Sequence, residues 1–482
     1  MSEKQVRKGC AIALAVYVVL AVAFYWISGD QLHFRDENTD AITASEPIGE
    51  LVQGMEIRQP FTAQADEILG VDMLLSTYAR ENQCRVFVSI VDKNGLTLAQ
   101  TELSGAEIED NVTRTVSFVQ PVQVTPGTRY ALVLTSPDGA PGNAITAWQG
   151  STIATARAEV PVEISDRLLV NGDAQEGMLH YSFQTRSYFW FGTFYWYFIL
   201  GMGLLLAGYC AYLCRMTRQG RSSLGLRVIS AFQRYGYLMR QLVARDFKTK
   251  YKRSMLGVLW SFLNPLLTMI VQYIVFSTLF KSDIPNFPLY LLSGIVCFNF
   301  FSEATTMGLQ SIVGNAALIT KVYVPKYIYP VSRVFSSAIN LLLSLIPLLA
   351  VMLLTGTPIR PAILLLPFGL ICLVGFCIGM GFVLSTLMVF FRDTQFLWGV
   401  VSMLWMYMTP IFYPESIIPA HYMTLYKCNP MYHIIRFVRI VLIEGVSPEP
   451  KAYALCLIAS FVPLALGAII FKKNQDKFIL NL

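Results

Sequence analysis

The chain has 482 residues, of which 54% are hydrophobic and only 14% are charged, and its formal net charge is +6. Soluble domains carry about 25% charged residues, so this composition excludes an ordinary soluble protein and indicates a membrane protein. The charge is uneven, because residues 29–186 hold 22 acidic and 10 basic side chains, a balance of −12, so the rest of the chain carries +18.

Eight apolar segments approach or exceed the roughly 20 residues that a transmembrane helix needs. The predicted spans are 9–28, 188–213, 258–280, 287–310, 331–355, 361–391, 396–413 and 452–471. The seventh span is short, and residues 416–447 after it have the composition of a half-inserted segment. The apolar run of 9–28 is longer than the core of about 7–15 residues in a signal peptide, which favours an uncleaved anchor.

The basic segments between and beside these spans predict the topology. Residues 214–257 hold 11 basic side chains and one acidic side chain, and both termini are basic. The positive-inside rule therefore places both termini in the cytoplasm and residues 29–186 outside, in a multi-pass protein of the cytoplasmic membrane. The predicted parts are a tip and first span at 1–28, an extracytoplasmic domain at 29–186, a second span at 187–214, a cytoplasmic basic segment at 215–257 and a six-helix domain at 258–482.

Residues 50–185 predict an antiparallel β-sandwich, because short alternating strands recur with turn residues between them. Residues 84–103 alternate on both sides of an Asp92-Lys93-Asn94-Gly95 turn, which is a hairpin signal. Small extracellular sandwiches often bind sugars through aromatic side chains, and the alternative is a spacer or docking domain whose aromatic residues belong to the core. The candidate sugar contacts are Tyr78, Trp148, His180 and Tyr181.

A basic amphipathic helix is predicted from Tyr235 to Met255, where apolar residues recur three or four positions apart. Such a helix lies along the membrane surface with its cations near anionic headgroups. A plain topogenic charge cluster is the alternative, but it does not explain the apolar stripe. The cations of this predicted interface helix are Arg240, Arg245, Lys248, Lys250, Lys252 and Arg253.

The stretch RDFKTKYKRSMLGVLWSFLNP (245–265) resembles the opening signature of the membrane subunit of ABC polysaccharide exporters, the type-2 permeases that move O-antigen or teichoic acid chains. Further segments resemble landmarks of that family in the expected order. They are a cytoplasmic loop at 315–334, a short turn at 389–395 and exit-side segments at 409–414 and 429–445. The resemblance covers 235–482, and the usual members lack the first two spans and the exterior domain.

The resemblance implies a six-helix permease bundle that dimerises with a second copy of itself, with each copy bound to one cytoplasmic ATPase subunit. The chain contains no G-x-x-x-x-G-K-[ST] motif, so it is predicted to be no enzyme and to hold no cofactor or metal, while ATP and Mg²⁺ bind the partner. By the same resemblance, one loop docks into the ATPase, and the alternative is a simple turn between spans. This predicted coupling loop contains Lys321, Val324, Pro325 and Lys326.

Ionisable groups at membrane depth are costly and often functional. Glu303 and Arg333 are such groups, and a satisfied ion pair or a side chain that snorkels to the membrane interface is an equal alternative to a substrate contact. The resemblance implies that 429–445 dips into the membrane from outside, where Arg436 and Arg439 would line an exit gate and meet a lipid pyrophosphate.

A glycan path also needs smooth aromatic surfaces, although interfacial aromatic belts produce the same composition. The candidate lining residues are Phe298, Phe300, Phe301, Trp405, Tyr407, Phe412 and Tyr413.

The sequence therefore favours the permease subunit of an ATP-driven exporter of lipid-linked polysaccharide, surrounded by membrane lipids and without a nucleic-acid partner. One alternative is an exporter of drugs or small lipids from the same superfamily. A second is a membrane-anchored glycan-binding protein. A membrane glycosyltransferase or acyltransferase is disfavoured, because the four histidines are scattered and no DxD-like acidic pair lies beside a span.

Overall fold

The computed structural model describes residues 3–39, 44–150, 152–155, 158–161, 167–221, 223–252, 256–280, 286–321 and 324–481. The chain forms two compact units. The helical unit comprises Met1–Leu32, Phe194–Glu415 and His421–Leu482, and the sandwich unit comprises His33–Thr193 and Ser416–Ala420. The predicted fold class, a helical membrane protein with an inserted antiparallel β-domain, is confirmed.

The helices are α1 Glu3–Ser28, α2 Trp190–Arg218, α3 Leu224–Tyr251, α4 Trp260–Phe280, α5 Phe287–Leu309, α6 Ala316–Ile319, α7 Ile328–Leu354, α8 Leu366–Phe390, α9 Thr394–Tyr407, α10 Ala420–Lys427, α11 Pro430–Arg439, α12 Pro450–Asn474 and α13 Phe478–Asn481. A short π-helix, Ile440–Glu444, extends α11. Within the described ranges, seven helical segments are long and apolar enough to cross a membrane. They are Glu3–Leu32, Trp190–Arg218, Gly257–Ser277, Phe287–Leu309, Ile328–Leu354, Pro361–Phe390 and Pro450–Asn481.

The predicted span at 396–413 corresponds to α9, which is shorter than expected. The helix has 14 residues, or about 21 Å at 1.5 Å per residue, against a hydrocarbon core of about 30 Å. Pro410 follows shortly after its end, and the residue before a proline disfavours the helical conformation. The chain therefore leaves the helix before it reaches the length of a full span.

The centre of the helical unit is α5, which packs against α4, α7 and α8. In the apolar 18-residue stretch of α5, 72% of the residues are buried, the largest share among the seven membrane-length segments. Glycines allow the closest helix contacts, as small residues do in membrane bundles. A Cβ added to Gly308 of α5 would lie 3.0 Å from the Cα of Gly381 in α8, so a larger residue would separate these helices.

The first two membrane-length helices, α1 and α2, pair with each other and join the bundle. Arg218, at the end of α2, forms a salt bridge of 2.6 Å with Glu3, at the start of α1, so the two helices are antiparallel. At its other end, the Ser28 hydroxyl donates to the Ser447 hydroxyl at 3.1 Å, just before α12. A polar contact therefore connects α1 to the rest of the helical bundle.

The sandwich unit contains two large antiparallel sheets. Its strands are β1 Phe34–Asn38, β2 Glu46–Pro47, β3 Glu56–Thr62, β4 Glu67–Ser76, β5 Arg85–Val91, β6 Thr97–Ser104, β7 Val112–Gln123, β8 Arg129–Thr135, β9 Thr146–Gly150, β10 Thr152–Thr155, β11 Ala158–Pro161, β12 Leu169–Val170, β13 Asp173–Ala174, β14 Met178–Leu179 and β15 Tyr181–Tyr188. One sheet has the order β1-β15-β4-β9-β14, with β2 on β9 and β7 on β4; the other has the order β13-β12-β3-β8-β5-β6. A separate β10–β11 pair completes the described strands.

The predicted hairpin is confirmed as β5 and β6. Asp92 fixes its turn, because its carboxylate accepts hydrogen bonds from the Asn94 and Leu96 amides at 2.9 and 2.7 Å. Alternate side chains of both sheets point inward, and Met73 of β4 and Val88 of β5 lie in one buried cluster. Burial of one face of each sheet therefore holds the two sheets together.

The direction of the strands defines two ends of the sandwich. Strand β15 leads into α2, and Arg186 near its end pairs with Glu67 at the start of β4. Because β4 runs antiparallel to β15, it ends at Ser76, about 30 Å further along at 3.3 Å per residue. We call this the distal end of the sandwich, and the loops 77–84, 105–111 and 136–145 meet there.

Candidate functional site

One side of α5 is polar along the C-terminal half of the helix. The polar side chains that are exposed or half-exposed there are Asn299, Ser302, Glu303, Thr306 and the capping residue Gln310. Positions three or four residues apart share one face of a helix, so these residues form a continuous surface, which we call the α5 stripe. Polar groups in hydrocarbon are costly, so the stripe indicates a surface that contacts water or a polar substrate rather than lipid.

A groove between α5 and α9 runs along the stripe. Its volume is about 520 Å³, and α5 contributes Ser302, Thr306 and Gln310 to its lining. Gln395 and Ser402 of α9 line the facing wall, together with apolar and aromatic side chains. The groove therefore presents hydroxyl and amide groups from two helices within an otherwise apolar bundle.

A second cavity, of about 580 Å³, lies on the other side of the stripe between α3, α5 and α7. Glu303 holds these three helices together there. Its carboxylate accepts hydrogen bonds from Lys250 of α3 and Asn340 of α7, both at 2.8 Å, and from Ser337 at 3.3 Å. The structure therefore contains Glu303 in a satisfied ion pair, which was one alternative to a substrate contact.

Arg333 also lies in an ion pair. It contacts the buried carboxylate of Asp246 at 3.1 Å, and Arg245 contacts the same carboxylate at 3.0 Å. One buried carboxylate thus pairs with two guanidinium groups. Glu303 and Arg333 therefore both connect α3 to the bundle.

The predicted amphipathic helix is present as α3, which begins at Leu224 and ends at Tyr251; its position at a membrane surface stays a prediction. Its apolar side packs on the bundle, where Leu242 is buried in one cluster with Ile312 and Tyr329. Of the predicted cations, Arg240 and Lys248 are exposed, as is Lys252 just past the end of α3, whereas the partly exposed Arg245 and Lys250 form the ion pairs with Asp246 and Glu303. Arg253 lies outside the described residues.

The predicted coupling loop is attached to the end of α12. Lys326 donates to the backbone carbonyl of Gln475, and its ammonium lies 5.9 Å from the ring centroid of Phe478. Val324 packs in the same cluster, Pro325 is half-buried and Lys321 is exposed. A cation at the C-terminal end of a helix satisfies a free carbonyl and complements the helix dipole, so Lys326 fixes the position of this loop.

Several predicted lining residues are packed in the core instead. Phe301 is fully buried and stacks on Phe376 with ring centroids 5.3 Å apart, so it lines no surface. Its sequence prediction was wrong because α5 is enclosed on every side except the polar stripe. Phe300 and Phe412 are also buried, whereas the nearly buried Phe298 borders the groove.

The remaining aromatic candidates lie near the end of α9. Tyr407 is 58% exposed, and its carbonyl accepts a hydrogen bond from the half-buried Tyr413 hydroxyl at 2.7 Å. The Trp405 indole donates to Asn429 at 2.9 Å, and Asn429 caps the start of α11. These contacts fasten α9 to the segment that follows it.

The two predicted gate arginines have opposite environments. Arg439 is buried and donates to the carbonyls of Pro410, Ile411 and Tyr290 at 2.7, 3.1 and 3.3 Å. Arg436, one turn earlier on α11, is exposed. Arg439 therefore holds the segment after α9 in place, and only Arg436 of this pair presents a cation at a surface.

Comparison with known proteins gives the family of the helical unit. Residues 237–443 match the ABC-2 type transporter family. The O-antigen export system permease protein RfbA of Klebsiella pneumoniae is 31% identical over 249 residues, which are 50% of this chain and 95% of that protein. The chain belongs to the ABC-2 type transporter family. The resemblance seen in 235–482 is thus confirmed.

Two further relatives cover the same share of this ABC-2 permease. The RfbA protein of Myxococcus xanthus is 29% identical over 255 residues, 52% of this chain and 98% of that protein. The polysialic acid transport protein KpsM of Escherichia coli is 22% identical over 261 residues, again 52% and 98%. The family match begins at residue 237, in α3, so α1, the sandwich unit and α2 lie outside it.

The four candidate sugar contacts lie at different places in the sandwich unit of the permease. Tyr78 is exposed in the loop after β4, at the distal end. Trp148 and His180 are half-buried neighbours, because the His180 amide donates to the Trp148 carbonyl at 2.7 Å. Tyr181 is buried against Phe183, so its assignment as a surface contact was wrong. Strand alternation alone did not show which face β15 turns inward.

The α5 stripe predicts a specific pattern of chemical labelling. In the permease variant Thr306→Cys, a charged, water-soluble thiol reagent is expected to modify the new side chain at least about tenfold faster than in Thr305→Cys. Thr305 is the matched control, because it is the same residue type at the next position and is fully buried. Mass spectrometry of the labelled peptide would separate this thiol from the native cysteines. Equal rates at both positions would contradict a water-accessible stripe.

Proposed function

We propose that this ABC-2 permease is the membrane subunit of an ATP-driven exporter of lipid-linked polysaccharide, in the cytoplasmic membrane. The α5 stripe carries the proposal, because it is a continuous row of hydroxyl, amide and carboxylate groups along the most buried membrane-length helix. A polysaccharide offers hydroxyl groups along its whole length, whereas a drug or simple lipid is bound mainly by apolar walls. The names of the relatives, O-antigen export and polysialic acid transport, support the same substrate class.

The positive-inside rule gives the path its direction. Both termini lie in the cytoplasm only if α9 and the segment after it complete an eighth crossing beside the seven membrane-length segments. With that topology α5 runs inward, and Gln310 and Gln395 lie at the cytoplasmic end of the groove. The glycan would then move along the α5 stripe toward Tyr407 and the exposed Arg436 on the extracytoplasmic side. An exposed cation there suits the pyrophosphate of a lipid carrier.

The permease needs a separate ATPase subunit, since its own sequence holds no phosphate-binding loop. We assign the ATPase contact to the coupling loop, where Lys321 is exposed and Lys326 fixes the loop to the end of α12. The groove between α5 and α9 is open on one side, and apolar side chains such as Val400 and Leu404 are exposed on α9. A second copy of the chain would cover this side and complete the path.

The test is the ATPase rate of the permease purified with its candidate ATPase subunit, with and without lipid-linked glycan. We expect a stable complex whose ATP hydrolysis is stimulated by the glycan. Stimulation by drugs or simple lipids alone would show a different substrate class. Failure to form any complex would contradict the exporter assignment and leave a membrane-anchored glycan-binding protein.

A further inference from the structure

Two consecutive residues at the distal end of the sandwich have an uncommon backbone conformation. Tyr78 and Ala79 have φ values of 57° and 55°, in the left-handed region that non-glycine residues rarely occupy. Such strain is maintained only where the surroundings fix it, and it is concentrated at ligand-binding positions. Neither residue is a glycine, so the sequence retains a side chain at Tyr78 despite the strain.

Asp110 holds this loop in place. Its carboxylate accepts hydrogen bonds from the Ser76 hydroxyl and the Thr77 amide, both at 2.6 Å, and from the Thr77 hydroxyl at 3.2 Å. These bonds keep the pKa of the Asp110 carboxyl below its usual range. The carboxylate also accepts from the side chain of Asn111 at 3.1 Å, and Asn111 has a left-handed φ of 58°. The loops after β4 and before β7 are thus joined by one carboxylate.

The result of this strained arrangement is an aromatic ring presented to solvent. Tyr78 is 39% exposed, and the guanidinium carbon of Arg80 lies 5.1 Å from its ring centroid. Arg80 forms a salt bridge with Glu50, whose carboxylate also accepts from the Gly142 amide at 3.1 Å. Because Glu50 neutralises Arg80 and Asp110 adds a carboxylate to the same loops, the surface beside the ring is polar without an excess of positive charge.

We propose that the exposed part of the Tyr78 ring, with Arg80 over the ring and Glu50 and Asn111 held in the same group of loops, is a binding site for a pyranose unit of a glycan. The inference rests on the proposed function, because it names this glycan as the exported one. A flat aromatic face suits the C–H face of a sugar ring, while paired charged groups and amides suit its hydroxyl groups. A free anion would meet no excess positive charge here, and an apolar peptide would meet ionic groups around a single ring.

Its location supports the same assignment. Loops at the end of a rigid sandwich are where such folds place binding residues. The Tyr78 loop is at the distal end, opposite the end at which β15 continues into α2.

The test measures binding of the host's own surface polysaccharide, released from its lipid, to the full-length permease by calorimetry. Tyr78→Gly removes the ring and also relieves the left-handed strain, so its thermal stability should match or exceed that of the unchanged protein. Its binding should weaken by about tenfold or more. Tyr78→Phe retains the ring and should bind nearly as well. Tyr188→Ala is the matched control, since Tyr188 is 51% exposed at the opposite end of the same sheet.

The inference is overturned if the unchanged protein does not bind the polysaccharide, or if Tyr78→Gly binds as tightly as the unchanged protein. It is also overturned if Tyr188→Ala weakens binding as much as Tyr78→Gly. The ATPase experiment separates this result from the proposed function. A glycan-stimulated ATPase complex without Tyr78-dependent binding would refute only this site. Tyr78-dependent binding without any ATPase complex would refute only the transport function.

Discussion

Substituting Arg439 by methionine is expected to destabilise the helical unit by about 3 kcal/mol or more. The guanidinium donates to the carbonyls of Pro410, Ile411 and Tyr290 and lies 3.4 Å from the ring centroid of Tyr290. Methionine fills most of the volume but donates no hydrogen bond, so all three bonds of the guanidinium are lost, although the Pro410 and Tyr290 carbonyls keep hydroxyl donors from Tyr290 and Ser293. A hydrogen bond to a charged group contributes about 1.5–3 kcal/mol, so we expect the loss of three such bonds to exceed the gain from removing a buried charge.

The measurement is the thermal unfolding midpoint of the purified protein in detergent. Arg436→Met is the matched control, because it lies one turn earlier on α11 and is exposed, so its midpoint should be nearly unchanged. Arg439→Lys should be intermediate, since an ammonium cannot reproduce the planar fork of donors. If Arg439→Met unfolds at the same temperature as Arg436→Met, the buried hydrogen bonds do not stabilise the segment after α9.

The second large effect is expected at the contact of α8 with α12. A Cβ added to Gly467 of α12 would lie 2.2 Å from the carbonyl oxygen of Gly379 in α8, a distance at which the backbones must move apart. Gly467→Ala should therefore destabilise the protein by about 1–3 kcal/mol. The better helix propensity of alanine, worth about 1 kcal/mol, offsets only part of this cost.

Gly201→Ala provides the control for this substitution. Gly201 lies in α2, and a Cβ added there meets no atom within 4 Å. Its thermal unfolding midpoint should stay constant or rise slightly, while that of Gly467→Ala falls. Equal midpoints for the two variants would mean that α8 and α12 separate at no cost. The combination of Gly467→Ala with Gly379→Ala should show a non-additive effect, because both side chains would enter one contact.

Local patterns in the sequence determined the class of the protein and most of its elements. Hydropathy predicted the seven membrane-length helices, because the length of an apolar run depends on no distant contact, whereas its eighth span, 396–413, corresponds to the short helix α9. The hairpin around Asp92 followed from a turn and two alternating strands. The apolar stripe of α3 followed from helical spacing, and the residues in 235–482 were sufficient to indicate the permease family.

The tertiary structure decided which side chains within those elements are available for function. Arg436 and Arg439 are one turn apart on α11, and the sequence predicted the same role for both. Contacts with the segment after α9 bury only Arg439. Thr305 and Thr306 are adjacent, and the packing of α5 exposes only Thr306. The α5 stripe was missed for this reason, although the alternation of polar and aromatic residues in 298–306 was a visible signal.

Phe301 and Tyr78 also show the difference between what the sequence predicted and what the tertiary structure decided. Both are aromatic residues at positions where the sequence suggested a substrate surface, but Phe301 is enclosed by α8 and Tyr78 is exposed by a strained loop that Asp110 holds. Periodicity specifies which residues share a face of a helix or strand. What that face meets depends on segments far away in the chain, and those contacts exist only in the folded structure.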